Sequence, residues 1–171
     1  WWRSRATSGG QLVEQATHTV DLMTSFLGNV DRVYAAGALR VHRDVPGFDI
    51  HDTGAVTLHF ASGAIGSIVT TAVLGGGATA GFPTGLHLFA ADLRVEVWGA
   101  SLKVVTADRT DERRYTESPM QALDADFIEA VRRRDPSRVR TPYADAARTL
   151  AITLAGEESA RTGRVIEVAR I

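Results

Sequence analysis

Three side chains that can hold or move a proton recur within one short stretch near the start of the chain. Glu14, His18 and Asp21 are spaced four and three residues apart, and the glycine pair Gly9–Gly10 precedes them. On a helix, which turns by about 100° per residue, these spacings place all three side chains on one stripe. A carboxylate four residues before an imidazole can orient the ring and raise its basicity. The stretch therefore predicts an active-site helix.

Two other interpretations of this spacing are open. Glu14 and His18 fit an i,i+4 surface pair, which stabilises many helices without any chemistry. A metal site is a weaker alternative, because one helix supplies only His18 with Glu14 or Asp21 and the sequence has no HExxH motif. Asp21 is expected to brace the helix or His18 rather than to react.

The chain begins with an aromatic and cationic segment, Trp1-Trp2-Arg3, and Arg5 follows it closely. Tryptophan and arginine side chains suit the faces of sugars and their hydroxyl or carboxylate groups. We therefore consider Trp2 and Arg3, together with Asp21, as candidate substrate-binding residues. The alternative is that the tryptophans anchor an extended segment, residues 1–8, to a sheet.

The bulk composition sets limits on the class of protein. A length of 171 residues predicts about one domain, and 44% hydrophobic with 23% charged residues is typical of a globular protein. A net charge of −1 provides no overall field for nucleic acid or anionic lipid. The absence of cysteine excludes disulfides and thiolate metal sites and fits a reducing compartment, so we expect a cytoplasmic protein.

A glycine-rich stretch superficially fits a nucleotide-binding loop. Residues 75–80 match the pattern G-x-G-x-x-A after a strand-like run. Further glycines and Pro83 follow at once, so no helix can begin there to hold a pyrophosphate. We therefore expect a loop over residues 75–85 and neither cofactor-binding nor metal-binding residues in this chain. The remaining histidines are expected at the surface or rim rather than as ligands: His42, His51, His59 and His87.

The order of elements predicts the fold class. Ser8 is the expected N-cap of a helix over about residues 10–27, which Gly28 ends. A period of two then predicts about six short strands up to residue 106. Two helices, a capping box at Ser118 and a last short strand follow. This order predicts an α+β fold with a largely antiparallel open sheet and helices on one face.

These residues resemble the carboxy-terminal domain of the Gfo/Idh/MocA family, the glucose–fructose oxidoreductase and inositol dehydrogenase group. In that family an aromatic–arginine strand is followed by a helix of pattern G-G-x-x-x-D-x-x-x-H-x-x-D, which Gly9–Asp21 follows in spacing. Three later segments are also similar to the family, in the expected order: HDTGAVTLHFASGAIGSI, ADFIEAVRRRDPS and RTLAITLAGEESARTGRVIEV.

The resemblance implies that residues 1–171 form a single substrate-binding and oligomerisation domain. The intact enzyme would be an NAD(P)-dependent oxidoreductase acting on a sugar, cyclitol or related polyol. Its NAD or NADP would be bound mainly by an N-terminal Rossmann domain before residue 1, which would also supply a catalytic lysine. His18 corresponds to the family's proton-transfer histidine, and Glu14 stands where many members carry an aspartate. The resemblance further implies a homo-oligomer formed through the sheet face.

The isolated chain is expected to be inactive, because the cofactor domain and its lysine would be missing from it. The alternative function is a non-catalytic binding or dimerisation module in which Glu14 and His18 form a structural pair. Neither hypothesis includes a nucleic-acid or membrane partner.

Overall fold

The structure, a computed structural model, describes residues 1–74 and 85–169. The loop predicted over residues 75–85 therefore lies outside the described residues, except for Gly85, which begins a strand. Within the two described ranges, no helix is both long enough and apolar enough to cross a membrane.

The described residues form five helices, one 3₁₀ turn and eight strands. In chain order they are α1 (Arg5–Ser8), α2 (Gln11–Glu14), α3 (Thr17–Leu27), β1 (Val30–Ala38), β2 (Thr53–Phe60), β3 (Ile65–Thr71), β4 (Gly85–Ala90), β5 (Leu93–Trp98), β6 (Ser101–Thr106), β7 (Thr110–Arg114), α4 (Pro119–Arg133), the 3₁₀ turn (Pro136–Arg138), α5 (Tyr143–Thr162) and β8 (Ile166–Glu167).

These elements are divided between two compact units. The first unit comprises Trp1–Ala80 and Tyr143–Ile171 and contains α1 to α3, β1 to β3, α5 and β8. The second unit, Gly81–Pro142, contains β4 to β7 and α4. Each unit has its own four-stranded antiparallel sheet.

The first sheet has the strand order β3-β2-β1-β8, and each neighbouring pair is antiparallel. Val33 lies opposite Leu58 across β1 and β2, and Val56 lies opposite Ile68 across β2 and β3. All four side chains are buried on one face of the sheet, as the alternation of apolar residues along the strands predicts. Helix α5 packs against β1 on this buried face.

Helix α5 approaches the sheet closely because the residues in contact are small. A Cβ on Gly156 would lie 2.2 Å from the Cδ2 of Leu12 in α2, so only glycine fits without displacing that side chain. Ser159 is fully buried. Its hydroxyl accepts a hydrogen bond from the Ala35 amide at 2.8 Å and donates one to the Arg164 carbonyl at 2.5 Å. The helix is therefore tied to β1 by a polar bridge inside an otherwise apolar layer.

The second sheet is a run of hairpins in the order β4-β5-β6-β7. Helix α4 begins as the sequence predicts, with Ser118 as its N-cap and Pro119 in its first turn. The Ser118 hydroxyl accepts a hydrogen bond from the Gln121 amide at 3.4 Å. Strand β7 was not among the predicted strands, because its sequence TDERR has no apolar alternation.

The predicted α+β class with antiparallel strands is confirmed, and the strands are divided between two sheets. Two local predictions are wrong. Residues 1–8 are not extended, because Arg5–Ser8 forms the helical turn α1. The helix expected over residues 10–27 is divided into α2 and α3, and the N-cap of α2 is Gly10. Ser8 instead accepts a hydrogen bond from the Gly10 amide at 3.1 Å.

We expect Ser159→Ala to lower the free energy of unfolding by about 1–3 kcal/mol, because the Ala35 amide and the Arg164 carbonyl lose their buried partner. Urea unfolding at neutral pH measures this loss. Ser25→Ala is the matched control, since the exposed Ser25 hydroxyl only bonds the Leu22 carbonyl of its own helix. Equal stability of the two variants would contradict the bridge.

Candidate functional site

The predicted active-site helix is broken between its carboxylate and its histidine. Helix α2 ends at Glu14 and α3 begins at Thr17, with a turn between them. The Ala16 amide bonds the Gln11 carbonyl at 3.1 Å, five residues earlier, so the backbone is wider here than in an α-helix. The uniform rotation of 100° per residue assumed from the sequence does not hold between Glu14 and His18.

Glu14 and His18 are not in hydrogen-bond contact. The half-buried Glu14 carboxylate accepts a hydrogen bond from Nε2 of Gln15. His18 is exposed, and no hydrogen bond or ion pair joins it to Glu14 among the described residues. The imidazole therefore lies in the first turn of α3 without an orienting carboxylate, and it is open to a ligand or to a further packed surface.

Asp21 connects two helices. Its Oδ1 accepts a hydrogen bond from the Thr149 hydroxyl at 3.1 Å, and Thr149 is buried on α5. This contact holds α3, and with it His18, against α5. The carboxylate is thus already engaged within the fold, and a substrate-binding role for Asp21 stays a prediction.

The opening segment, residues 1–3, is exposed but held by specific contacts. Trp2 packs edge-on against Phe48 with ring centroids 5.6 Å apart. The Arg3 guanidinium lies 5.9 Å from the Trp2 ring centroid, and the Arg3 carbonyl accepts a hydrogen bond from the Asp49 amide at 3.1 Å. Trp2 and Arg3 therefore lie next to each other at the surface, and their role in substrate binding stays a prediction.

The glycine pair before α2 has a steric reason. Gly10 has a φ of +105°, and a Cβ at this position would lie 2.6 Å from Oε1 of Glu157. Glu157 belongs to α5 and accepts a hydrogen bond from the Arg5 guanidinium at 3.1 Å. Glycine at position 10 thus lets the start of α2 lie against this ion pair, which connects α1 to α5.

Asp52 is a buried carboxylate that the sequence analysis missed. Its side chain is 0% exposed. Its oxygens accept hydrogen bonds of 2.7–3.0 Å from the consecutive amides of Arg40, Val41 and His42. Burial alone would raise the pKa of Asp52, but these amides and the His42 side chain outweigh it, so the pKa lies below its ordinary value. The carboxylate stays ionised and holds the loop that follows β1.

His42 extends this arrangement towards the surface. Its Nδ1 lies 3.5 Å from Oδ2 of Asp52, and its ring stacks on Phe48 with centroids 4.7 Å apart. The sequence predicts His42 at the surface or rim and no partner for it. No local pattern marks Asp52, because its partner amides lie 10 to 12 residues earlier in the chain, whereas side-chain-to-backbone motifs span only a few residues.

None of the predicted site residues lines either of two pockets found in the first unit. The larger, of about 810 Å³, includes residues from β1, β2, α5 and β8. The smaller, of about 20 Å³, lies between α2, α5 and the sheet. Over residues 1–74 and 85–169, no cluster of three or more metal-ligating side chains is present. His18, Trp2 and Arg3 are exposed and lie outside both of these pockets.

The family comparison agrees with the resemblance that the sequence suggested. Residues 1–104 match the family described as the GFO/IDH/MocA C-terminal domain, which confirms the predicted resemblance. No curated sequence matches the chain.

Solved structures share the fold over nearly the whole chain. A Thermotoga maritima protein assigned as an oxidoreductase superposes with a TM-score of 0.83 at 19% identity, covering 98% of this chain and 50% of that one. Levoglucosan dehydrogenase in complex with NADH and levoglucosan has a TM-score of 0.76 at 21% identity, with coverages of 100% and 54%. The WlbA dehydrogenase from Bordetella pertussis in complex with NADH and UDP-GlcNAcA has a TM-score of 0.61 at 27% identity, with coverages of 95% and 46%.

The chain therefore spans about half the length of these structures. At such identities the likeness to the Thermotoga maritima protein and to levoglucosan dehydrogenase establishes the fold and not the substrate.

Asp52 makes stability depend on pH in a defined direction. The pKa of Asp52 in the folded protein lies below its unfolded value of about 3.9. The ionised carboxylate therefore stabilises the fold above that pH, and this stabilisation is lost as the pH falls through the folded-state pKa. We expect Asp52→Asn to lower the free energy of unfolding by about 2–3 kcal/mol at pH 7, because charged hydrogen bonds are replaced by neutral ones.

Urea unfolding between pH 7 and pH 2 measures this difference, which should shrink below about pH 4. Asp135→Asn is the control, because the pKa of Asp135 is also lowered, through the Ser137 side chain and amide, but this residue is only half-buried. A difference that persists unchanged at acid pH would show that the charge of Asp52 is not the stabilising element.

Proposed function

Because the chain belongs to the GFO/IDH/MocA C-terminal domain family, we propose that it is the substrate-binding domain of an NAD(P)-dependent oxidoreductase. The proposed substrate is a sugar, cyclitol or related polyol, and the proposed cofactor-binding part is an N-terminal Rossmann domain. The observation that carries the proposal is the family match over residues 1–104, which includes the stretch with Glu14 and His18. Similar structures that contain NADH with a sugar or sugar nucleotide support it.

In this proposal His18 is the proton-transfer residue. NAD(P), held mainly by the other domain, supplies hydride transfer when bound. A ring nitrogen of His18 accepts the proton of the reacting substrate hydroxyl as that carbon is oxidised. The exposure of His18 is compatible with this role, because the proposed cofactor domain would cover α3 and exclude water from the site.

The opening segment would bind the substrate beside this histidine. Trp2 retains 42% exposure, so part of its indole can pack against the apolar face of a sugar ring. The exposed Arg3 side chain can donate hydrogen bonds to hydroxyl or carboxylate oxygens. Glu14, which lies in α2 beside the turn that leads to α3, would adjust the polarity around His18.

The test is His18→Ala in the intact protein, with NAD⁺ or NADP⁺ and a panel of polyols that includes levoglucosan. We expect kcat to fall by about 100-fold or more, because general acid–base catalysis typically contributes this much. His87→Ala is the matched control, since His87 is an exposed histidine in the second unit and has no proposed role. Turnover that is unchanged in His18→Ala, with folding intact, would contradict the proposal.

A second candidate function, a non-catalytic binding or dimerisation module, is favoured by the outer face of the first sheet. Strand register places Tyr34, Ile65 and Val69 on the face opposite α5. Their exposed fractions are 43%, 69% and 80%. Several large apolar side chains on one exposed face are typical of an interaction surface. The same face would join copies of the chain in the proposed oxidoreductase, so turnover is what separates the two functions.

We expect Val69→Lys to reduce the molar mass of the intact protein in solution towards that of a monomer, because a buried ammonium group in the interface would lack a partner. Light scattering coupled to gel filtration measures the mass. Tyr143→Lys is the control, since Tyr143 is an exposed residue at the start of α5, the helix that packs on the opposite face of the sheet. A mass that does not respond to Val69→Lys would exclude this face as the interface.

A further inference from the structure

A continuous series of contacts leads from the buried Asp52 to the exposed opening segment. The first link is the carboxylate itself, which accepts hydrogen bonds from three successive backbone amides. Hydrogen bonds to an ionised group are roughly twice as strong as neutral ones. Asp52 therefore fixes the backbone of residues 40–42 in one conformation.

The second link is the pair of His42 and Phe48. The His42 amide donates a hydrogen bond to Oδ2 of Asp52 at 3.0 Å, and the ring lies near the same oxygen, with Nδ1 3.5 Å from it. Two successive turns, with hydrogen bonds of 3.1 Å from Val45 to His42 and from Phe48 to Val45, fold the loop back on itself. The Phe48 ring consequently lies flat on the imidazole, with an angle of 10° between the two planes.

The third link joins this loop to the opening segment on both sides of Phe48. The Phe48 ring contacts Trp2, and the Asp49 amide donates to the Arg3 carbonyl at 3.1 Å. The Asp49 carboxylate in turn accepts a hydrogen bond from the Arg5 amide at 2.6 Å. Two hydrogen bonds thus join the backbone of residues 3–5 to the loop, and the Trp2 side chain adds one aromatic contact.

We propose that Asp52 is a positioning residue, which holds Trp2 and Arg3 in their binding geometry through His42 and Phe48. The importance of this geometry for the substrate rests on the proposed function. Ordering the exposed Arg3 side chain, which has many rotamers, and fixing the two torsions of Trp2 would otherwise reduce affinity when a polyol binds. When a buried charge orders the loop, the conformational entropy of these side chains is lost during folding and not when the substrate binds.

Amide hydrogen exchange in the intact protein tests the positioning without any substrate. If Asp52 acts only on its own loop, Asp52→Asn speeds exchange at residues 40–42 alone. If it positions the opening segment, the Arg5 and Asp49 amides also exchange faster, by about tenfold or more. Asp135→Asn, which removes a half-buried carboxylate from the second unit, should leave the exchange rates of all these amides unchanged.

Phe48→Leu tests the middle of the series and keeps the proposal testable if Asp52→Asn fails to fold. It leaves the hydrogen bonds of Asp52 intact, so exchange at residues 40–42 should stay at the wild-type rate while the Arg5 and Asp49 amides exchange faster. Unchanged rates at Arg5 and Asp49 in Phe48→Leu, or in a folded Asp52→Asn variant, would overturn the positioning role.

Steady-state kinetics of the intact protein, with the cofactor and the polyol of the panel that it turns over best, then tests the link to the substrate. Loss of positioning predicts that Phe48→Leu raises KM by about tenfold while kcat changes by less than about threefold, because binding and not proton transfer is affected. A fall in kcat with KM unchanged would contradict this part. If the wild-type protein turns over no polyol, the proposed function fails, and the exchange rates still decide the positioning role of Asp52.

Discussion

The contact of α5 with β1 is the constraint on which the rest of the first unit depends. Small residues on one face of α5 let the helix lie directly on the sheet, where the Ser159 hydroxyl bridges two backbone groups. The same helix then holds each of the three short helices at a different position. Three pairs make these contacts: Arg5 with Glu157, Leu12 with Gly156, and Asp21 with Thr149. Because helices of four residues are not stable alone, α1 and α2 exist only through such packing.

Packing of the short helices on α5 also determines the geometry of the candidate site. The position of His18 is set by the tie between α3 and α5, not by the rotation of one continuous helix from Glu14. The opening segment is likewise fixed from outside, by the loop that Asp52 holds. Two elements therefore hold the proposed binding residues in place: α5 contacts the helices α1 to α3, and the loop after β1 contacts the opening segment. A substitution in either element should alter the geometry of the site without changing its side chains.

The sequence predicts much of the fold and only part of the site, for identifiable reasons. Apolar alternation and the capping box at Ser118 are local signals, so the strands of the first sheet and the start of α4 could be foreseen. The break after Glu14 could not be predicted, because the hydrogen bond from the Ala16 amide to the Gln11 carbonyl does not change the spacing of apolar residues in the sequence. Strand β7 is polar and is defined by its neighbour β6 alone. Asp52 has partners 10 to 12 residues away, beyond the range of helix or strand patterns.

The central claim is that His18 meets the reacting hydroxyl of a bound polyol. A crystal structure of the intact protein with NAD(H) and a polyol that it turns over measures this most directly, through the distance from the imidazole nitrogens to the substrate oxygens. We expect one nitrogen within about 3 Å of the hydroxyl that is oxidised. A bound polyol with His18 still facing solvent, several ångströms from every substrate oxygen, would contradict the account.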